Sequence, residues 1–229
     1  YLERPKMFGG YINVANQFRD VQPNVFCLSS GIEKVYNLMF DIPKENTYVT
    51  PNGVNTDNFE FESEAKYPDR SIYLAKIDYR KRQHLFQNID SLWYAGNLAD
   101  NNFDRNKNYL GEWSKDKLYK ELTHYGNLCL LSDGEAHPLV CMEAFCAGLG
   151  VVVCEWGKAN LDLDKEFITV IPEDKINDIE FVESEIVKNR EYSIAHRDEI
   201  LEYSKTFEWK NVLETNYIPA IEKVIERWS

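Results

Sequence analysis

With 229 residues, 44% of them hydrophobic and 14% aromatic, the chain has apolar stock for one large buried core, or for one domain and part of another. A formal net charge of −12 removes nucleic acid from the expected partners, because binding a phosphate backbone needs a basic face. No run reaches the apolar length of a membrane span, so no transmembrane segment is expected.

Five cysteines (Cys27, Cys129, Cys141, Cys146 and Cys154) form no CxxC pair and mostly sit in apolar runs. They read as reduced, buried thiols, which suits a cytoplasmic compartment and argues against a metal site. No signal peptide is visible. The chain opens on Tyr1 rather than Met, so upstream sequence is expected.

In chain order, Val25 to Leu28 predicts a strand, and Ser29 or Ser30 caps a helix from Gly31 to Met39. Thr47 to Thr50 is a strand ended by the turn signal Pro51-Asn52-Gly53. Residues 60 to 70 are polar and acidic and read as loop, followed by a strand from Ser71 to Ile77 and a short helix from Gln83 to Ile89. Ser91 to Ala95 is a strand stopped by Gly96, and the Asn- and Asp-rich run 97 to 108 is loop. Tyr109-Leu110-Gly111 opens a new element, and Ser114 caps a helix from Lys115 to His124.

Asn127 to Ser132 is a strand, and Pro138 to Ala147 a helix with proline at its first position and Gly148 just past its end. Val151 to Cys154 and Phe167 to Ile171 are further strands, and from Ile176 onward the chain is largely helical. Strands alternating with helices across short loops predict an α/β fold: a Rossmann-like parallel sheet with helices on both faces. Ligands of such sheets bind at the carboxyl ends of the strands. The expected organisation is 1–42 as the tail of a first domain, 43–205 as the Rossmann-like domain, and 206–229 as a closing segment.

The run Asp133-Gly134-Glu135-Ala136-His137-Pro138-Leu139-Val140-Cys141-Met142-Glu143 carries the most chemistry. Glu135 lies in the loop after a strand, and Glu143 lies inside a helix that is apolar nearly all round and should be buried. A buried lone carboxylate needs a partner. The helix N-terminus from Ala136 through Leu139 to Val140 offers free N–H groups and the positive dipole end, an arrangement suited to an anion. A ligand with a diphosphate and polyol groups would satisfy both features; a structural salt bridge at Glu143 and a capping role for Glu135 would also account for them. Lys76 at the end of a strand and Lys81 at the start of the next element are placed to meet a diphosphate, or else form part of a solvated basic loop with Arg80 and Arg82. His137 either contacts a ligand hydroxyl or packs.

Several segments, in order, resemble one family. Tyr48-Val49-Thr50-Pro51-Asn52-Gly53-Val54-Asn55-Thr56-Asp57-Asn58-Phe59 resembles the I-P-N-G-V-D-x-x-x-F segment of retaining glycosyltransferases of the family 4 type, which have the GT-B fold. Phe26 to Ile32 resembles the last strand and helix of that family's first domain. Residues 75 to 83 resemble its G-R-x-x-x-x-K-G segment, with Lys76 at the arginine and Arg82 at the second glycine. Tyr109-Leu110-Gly111-Glu112 resembles the strand and turn beside the base, and residues 132 to 152 resemble the E-x7-E motif. Ala136-His137 stands where that motif has Gly-Phe and Gly150 where it has proline. Thr206-Phe207-Glu208-Trp209 resembles the F-S-W before the last helix.

The resemblance implies a nucleotide-sugar-dependent hexosyl transfer to an acceptor hydroxyl with retention, in which Lys76 and Lys81 hold the diphosphate and Glu135 faces the donor sugar. It implies that His137, Pro138, Leu139 and Val140 touch sugar and phosphate through their backbone, that Glu143 binds ribose, and that Trp113 lies near the base. The donor would be a UDP- or GDP-sugar with no further cofactor and no metal, since cationic side chains replace it. The acceptor would be a lipid, polysaccharide or protein, and peripheral membrane attachment is compatible with it. An N-terminal domain would bind the acceptor, and the final helix, with Val212, Ile218, Ile221, Val224, Ile225 and Trp228 on its apolar face, would cross to that domain. A silent nucleotide-sugar-binding module, a GT-B epimerase or phosphorylase, and an unrelated α/β domain are the competing expectations.

Overall fold

A computed structural model describes residues 8–227, with side chains from Ala15 onward; Tyr1 and Trp228 lie outside the described residues. The chain divides into two compact units, residues 1–52 with 212–229, and residues 53–211.

In the first unit, α1 (Phe8–Val21) precedes β1 (Val25–Cys27), α2 (Ser30–Met39) and β2 (Thr47–Val49). The two strands pair in parallel, Val25 against Thr47 and Cys27 against Val49. The boundary expected at residue 42 therefore falls ahead of a strand that pairs within this unit. Ser29 caps α2 as the sequence implies, its hydroxyl accepting from Ile32 N at 3.4 Å. The C-terminal helix α8 (Ile218–Glu226) belongs to the same unit, where Arg227 donates to Glu45 O at 2.8 Å and to Asn46 Oδ1 at 2.7 Å.

The second unit is built on five parallel strands: β3 (Tyr67–Leu74), β4 (Leu92–Ala95), β5 (Tyr125–Leu130), β6 (Gly150–Cys154) and β7 (Ile168–Ile171). Their order across the sheet is β4-β3-β5-β6-β7. Three helices connect or flank them: α3 (Lys115–Glu121), α4 (Leu139–Cys146) and α5 (Ile179–Ala195). They are followed by α6 (Arg197–Ser204) and α7 (Trp209–Val212), which runs through a π-turn at Leu213–Tyr217 into α8. Central strands β5 and β6 are buried at every position, as their near-continuous apolar sequences require of strands covered on both faces.

Helix α5 is joined to the sheet by buried polar side chains rather than by apolar contact alone. Asn127 Nδ2 donates to Ile186 O at 3.0 Å and Asn189 Oδ1 at 2.9 Å, and Asn189 Nδ2 donates to Phe167 O at 3.0 Å. Ser193 Oγ donates to Gly126 O at 2.6 Å and accepts from Gly150 N at 2.7 Å, so the ends of two strands are satisfied by one hydroxyl. Arg197, at the start of α6, gives five hydrogen bonds: to the carbonyls of Glu62, Tyr125, Thr123 and Ala147, and to Thr123 Oγ1.

Five local expectations need correction. Strand β3 begins at Tyr67, inside the segment read as loop, because Tyr67 pairs with Tyr125 and its ring packs 5.6 Å from that residue's. It ends at Leu74, short of Ile77. The helix expected at Gln83–Ile89 is a single 3-10 turn, Gln83–Leu85, since Gln83 and Gln87 bond to the backbones of Lys76 and Asp104 and tie the segment to neighbouring loops. Tyr109 forms one isolated bridge to Tyr94 and not a new strand. Pro138 is the N-cap of α4 rather than its first residue, because its ψ of 69° is not helical.

Candidate functional site

The sheet order, counted within the second unit, runs second-first-third-fourth-fifth, so the chain reverses direction between β3 and β5. At such a switch point the loops leaving two adjacent strands splay to opposite sides and open a crevice at their carboxyl ends. Here the segment carrying Lys76 and Lys81 leaves β3, and the segment carrying Glu135 and His137 leaves β5.

The structure brings Lys81 and Glu135 into a direct ion pair, with both side chains more than four-fifths buried. Lys81 closes a 3-10 turn, Tyr79–Lys81, whose N-cap is the Asp78 carboxylate, accepting from Lys81 N at 3.2 Å. Arg82 follows at φ 56°, the left-handed region a glycine would occupy without strain. Its guanidinium reaches Asp133 at 3.3 Å, beyond the end of β5, and Glu173, beyond the end of β7. Burial would lower the Arg82 pKa, but the bond and charge of Glu173 and the charge of Asp133 outweigh it and raise it. The two loops are also joined through the backbone, Asp133 N donating to Arg80 O at 2.7 Å. Lys76 is exposed, and no carboxylate lies within ion-pair distance of it among the described residues.

Gly134 adopts φ +107°, a conformation that side-chain-bearing residues rarely take, and this turn delivers Glu135 to Lys81. Beyond it, no side chain caps α4; Leu139 N donates to His137 O and Cys141 N to Pro138 O, each at 2.9 Å, and the positive end of the helix dipole lies at this turn. Ala136 and Leu139 are exposed, Val140 is half-buried and Pro138 is buried. His137 is 8% exposed, and neither ring nitrogen has a hydrogen-bond partner. Burial pushes its pKa down to about 4, leaving a neutral imidazole with one donor and one acceptor unmet. Arg82 Nη1 and Glu173 Oε2 are likewise buried without partners. Buried polar atoms in folded proteins are nearly all paired, so these atoms have bonding capacity for a polar ligand or for water.

Glu143, 8% exposed within α4, is paired with Lys115 Nζ at 2.7 Å. Lys115 opens α3 and is well exposed, and its spacing from other residues gives no sequence signal for this pairing. The same holds for Asp133 and Glu173 as partners of Arg82, although position at a strand's carboxyl end marks both. Trp113 does not join the Lys81–Glu135 cluster. Its ring lies tilted against Tyr125, the first residue of β5, at 6.1 Å between centroids, with Lys117 over its face at 5.2 Å.

All five cysteines are free and buried, and burial pushes the thiols of Cys141, Cys129 and Cys154 up, away from the thiolate needed for reactivity. Among the described residues, no group of three or more His, Cys, Asp or Glu is placed to hold a metal ion. No helix among them is long and apolar enough to cross a membrane.

No protein-family model and no curated protein sequence matches the chain. Solved structures do. Sucrose-phosphate synthase from Thermosynechococcus elongatus superposes with a TM-score of 0.70 at 15% identity, over 94% of this chain and 62% of that one. TarM gives 0.69 at 14% identity, over 92% and 45%. Anabaena HepE in complex with UDP-glucose gives 0.64 at 12% identity, over 88% and 63%. The chain has a GT-B Rossmann-like fold. It spans less than two thirds of the length of each of these three structures.

Proposed function

We propose that this chain carries the donor site of a retaining glycosyltransferase that moves a sugar from a UDP- or GDP-sugar to an acceptor hydroxyl. The observation that carries the reading is the meeting of Lys81 and Glu135 across the β3/β5 switch point, beside an uncapped helix N-terminus and a buried, unpartnered imidazole. One of the similar structures, Anabaena HepE, is a complex with UDP-glucose, which supports a nucleotide-sugar ligand here.

In this reading the Lys81–Glu135 pair parts when the donor enters. The diphosphate, with more than one negative charge, replaces the single Glu135 carboxylate on Lys81 and recruits Lys76 and the start of α4 around Val140, with Leu139 N exchanging its bond to His137 O for a phosphate oxygen. Glu135 is released to accept from donor-sugar hydroxyls, and His137 meets a further hydroxyl. Glu143 leaves Lys115 to accept from the ribose hydroxyls, with the base toward the Gly111–Glu112 turn.

The C1–oxygen bond to the diphosphate then breaks with charge developing on the leaving oxygen. Lys76, Lys81 and the helix dipole stabilise that charge. The acceptor oxygen bonds to C1 from the face the diphosphate leaves, and its proton passes to the departing diphosphate. Cationic side chains take the place of a metal. The first unit would belong to the acceptor-binding part, completed by sequence upstream of Tyr1.

A donor-hydrolysis assay tests the catalytic part of this reading. Slow release of a free sugar of unchanged anomeric configuration from one nucleotide sugar, lost in Lys81→Ala and Glu135→Gln, supports it. Donor binding without release, with the upstream sequence restored, would leave a silent binding module instead.

A further inference from the structure

Tyr73 lies on β3, fully buried, with its ring stacked 6.1 Å from Tyr94. Pairing of β3 with β4 continues to Leu74, but pairing of β3 with β5 ends at Ile72 and Leu128. Past that point the two strands part, and the Tyr73 hydroxyl bridges the diverging segments. It accepts from Leu131 N at 2.9 Å and donates to the carbonyl of Lys81. Leu131 begins the segment that reaches Glu135 four residues later, so a single phenol oxygen is bonded to both loops of the site.

We infer that Tyr73 is a positioning residue of the donor site, setting the separation of the Lys81 and Glu135 loops so that both can address one diphosphate sugar. The inference rests on the functional reading above. The remaining ties, the Asp133–Arg80 backbone bond and the Arg82–Asp133 and Lys81–Glu135 ion pairs, lie within the loops themselves. The Lys81–Glu135 pair must open when a diphosphate binds, and Tyr73 is then the tie that runs from strand β3 itself to the backbone of Lys81 and of Leu131. Removing the hydroxyl leaves a buried carbonyl and a buried N–H without partners, and the loops must move to recover them.

Tyr94 supplies a built-in control. Its ring is as buried as that of Tyr73, but its hydroxyl has no hydrogen-bond partner. Tyr73→Phe and Tyr94→Phe thus remove the same atom from neighbouring rings, and only the first cuts a tie.

The 229-residue chain and both variants are titrated calorimetrically with UDP, UMP, GDP and GMP, and amide hydrogen exchange is followed by NMR. In Tyr73→Phe the dissociation constant of the preferred diphosphate rises about tenfold while that of its monophosphate stays within about twofold, because one hydrogen-bonded position is lost at the diphosphate alone. Exchange of Leu131 and of residues 79–82 accelerates, with the β6 amides still protected. Tyr94→Phe matches the parent in both readouts. Equal losses for diphosphate and monophosphate, an unchanged diphosphate preference, or the same effect from Tyr94→Phe would overturn the assignment. If the unsubstituted chain shows no preference for diphosphate, the donor-site reading fails first, and the positioning role falls with it.

Discussion

Replacing Arg197 by methionine keeps most of its stem and removes every donor. The guanidinium, on a residue 3% exposed, gives five hydrogen bonds that join the loop before β3, the entry of β5 and the last turn of α4. All its acceptors are neutral, and burial lowers the Arg197 pKa, so the cation is held by geometry against a desolvation cost that methionine would not carry. Each acceptor left without a donor costs about 1 kcal/mol or more, and the relieved desolvation returns part of the sum, so the net loss is roughly 4 kcal/mol. For a chain of this size that is a fall of about 8–16 °C in melting temperature. Arg197→Lys, which keeps the charge but not the planar fork, should lose about half as much. Thermal and urea unfolding followed by circular dichroism and tryptophan fluorescence would measure both. A loss below about 1 kcal/mol in Arg197→Met would show that water replaces the guanidinium, and would refute the role given to it.

Below neutral pH, His137 should weaken the fold. Its folded-state pKa of about 4 lies under the ordinary 6.5, so the unfolded chain binds the extra proton and stability falls as pH drops from 6.5 toward 4. His137→Phe should remove up to about 3 kcal/mol of that decline, seen as a flatter acid limb in urea midpoints; an identical limb would show that the ring is not buried uncharged. Gly148→Ala should destabilise by about 2–4 kcal/mol, because φ is +74° and the added Cβ would meet Phe61 Cε2 at 2.6 Å. Thermal melts check this. The five thiols should react with an aromatic disulfide reagent only as fast as the chain unfolds, and a rapid native phase would contradict their burial.

Much of this architecture is readable in the sequence because local signals agree with one another. Ser29 and Ser114 cap helices where hydroxyl-bearing residues precede an apolar period, and α4, apolar but for Glu143, is buried from Cys141 to Cys146 as such a helix must be. The convergence of Lys81 on Glu135 is a different matter. It depends on strand order, which no local pattern encodes, so sequence can name both residues but only topology joins them. Gln83 to Ile89 misleads because Leu85, Phe86 and Ile89 have helical spacing while the two glutamines bond outward to other loops. Arg197, Asn127 and Asn189 are silent in the sequence, since a polar residue that will be buried looks the same as one that will be solvated.

The most direct test is a calorimetric titration of the chain with UDP and with GDP, beside Lys81→Ala and Glu143→Ala. One nucleotide should bind saturably, with its affinity lowered about tenfold or more by each substitution, since one removes a diphosphate contact and the other a ribose contact. Saturable binding that neither substitution changes would place the ligand elsewhere and contradict a donor site at the β3/β5 switch point.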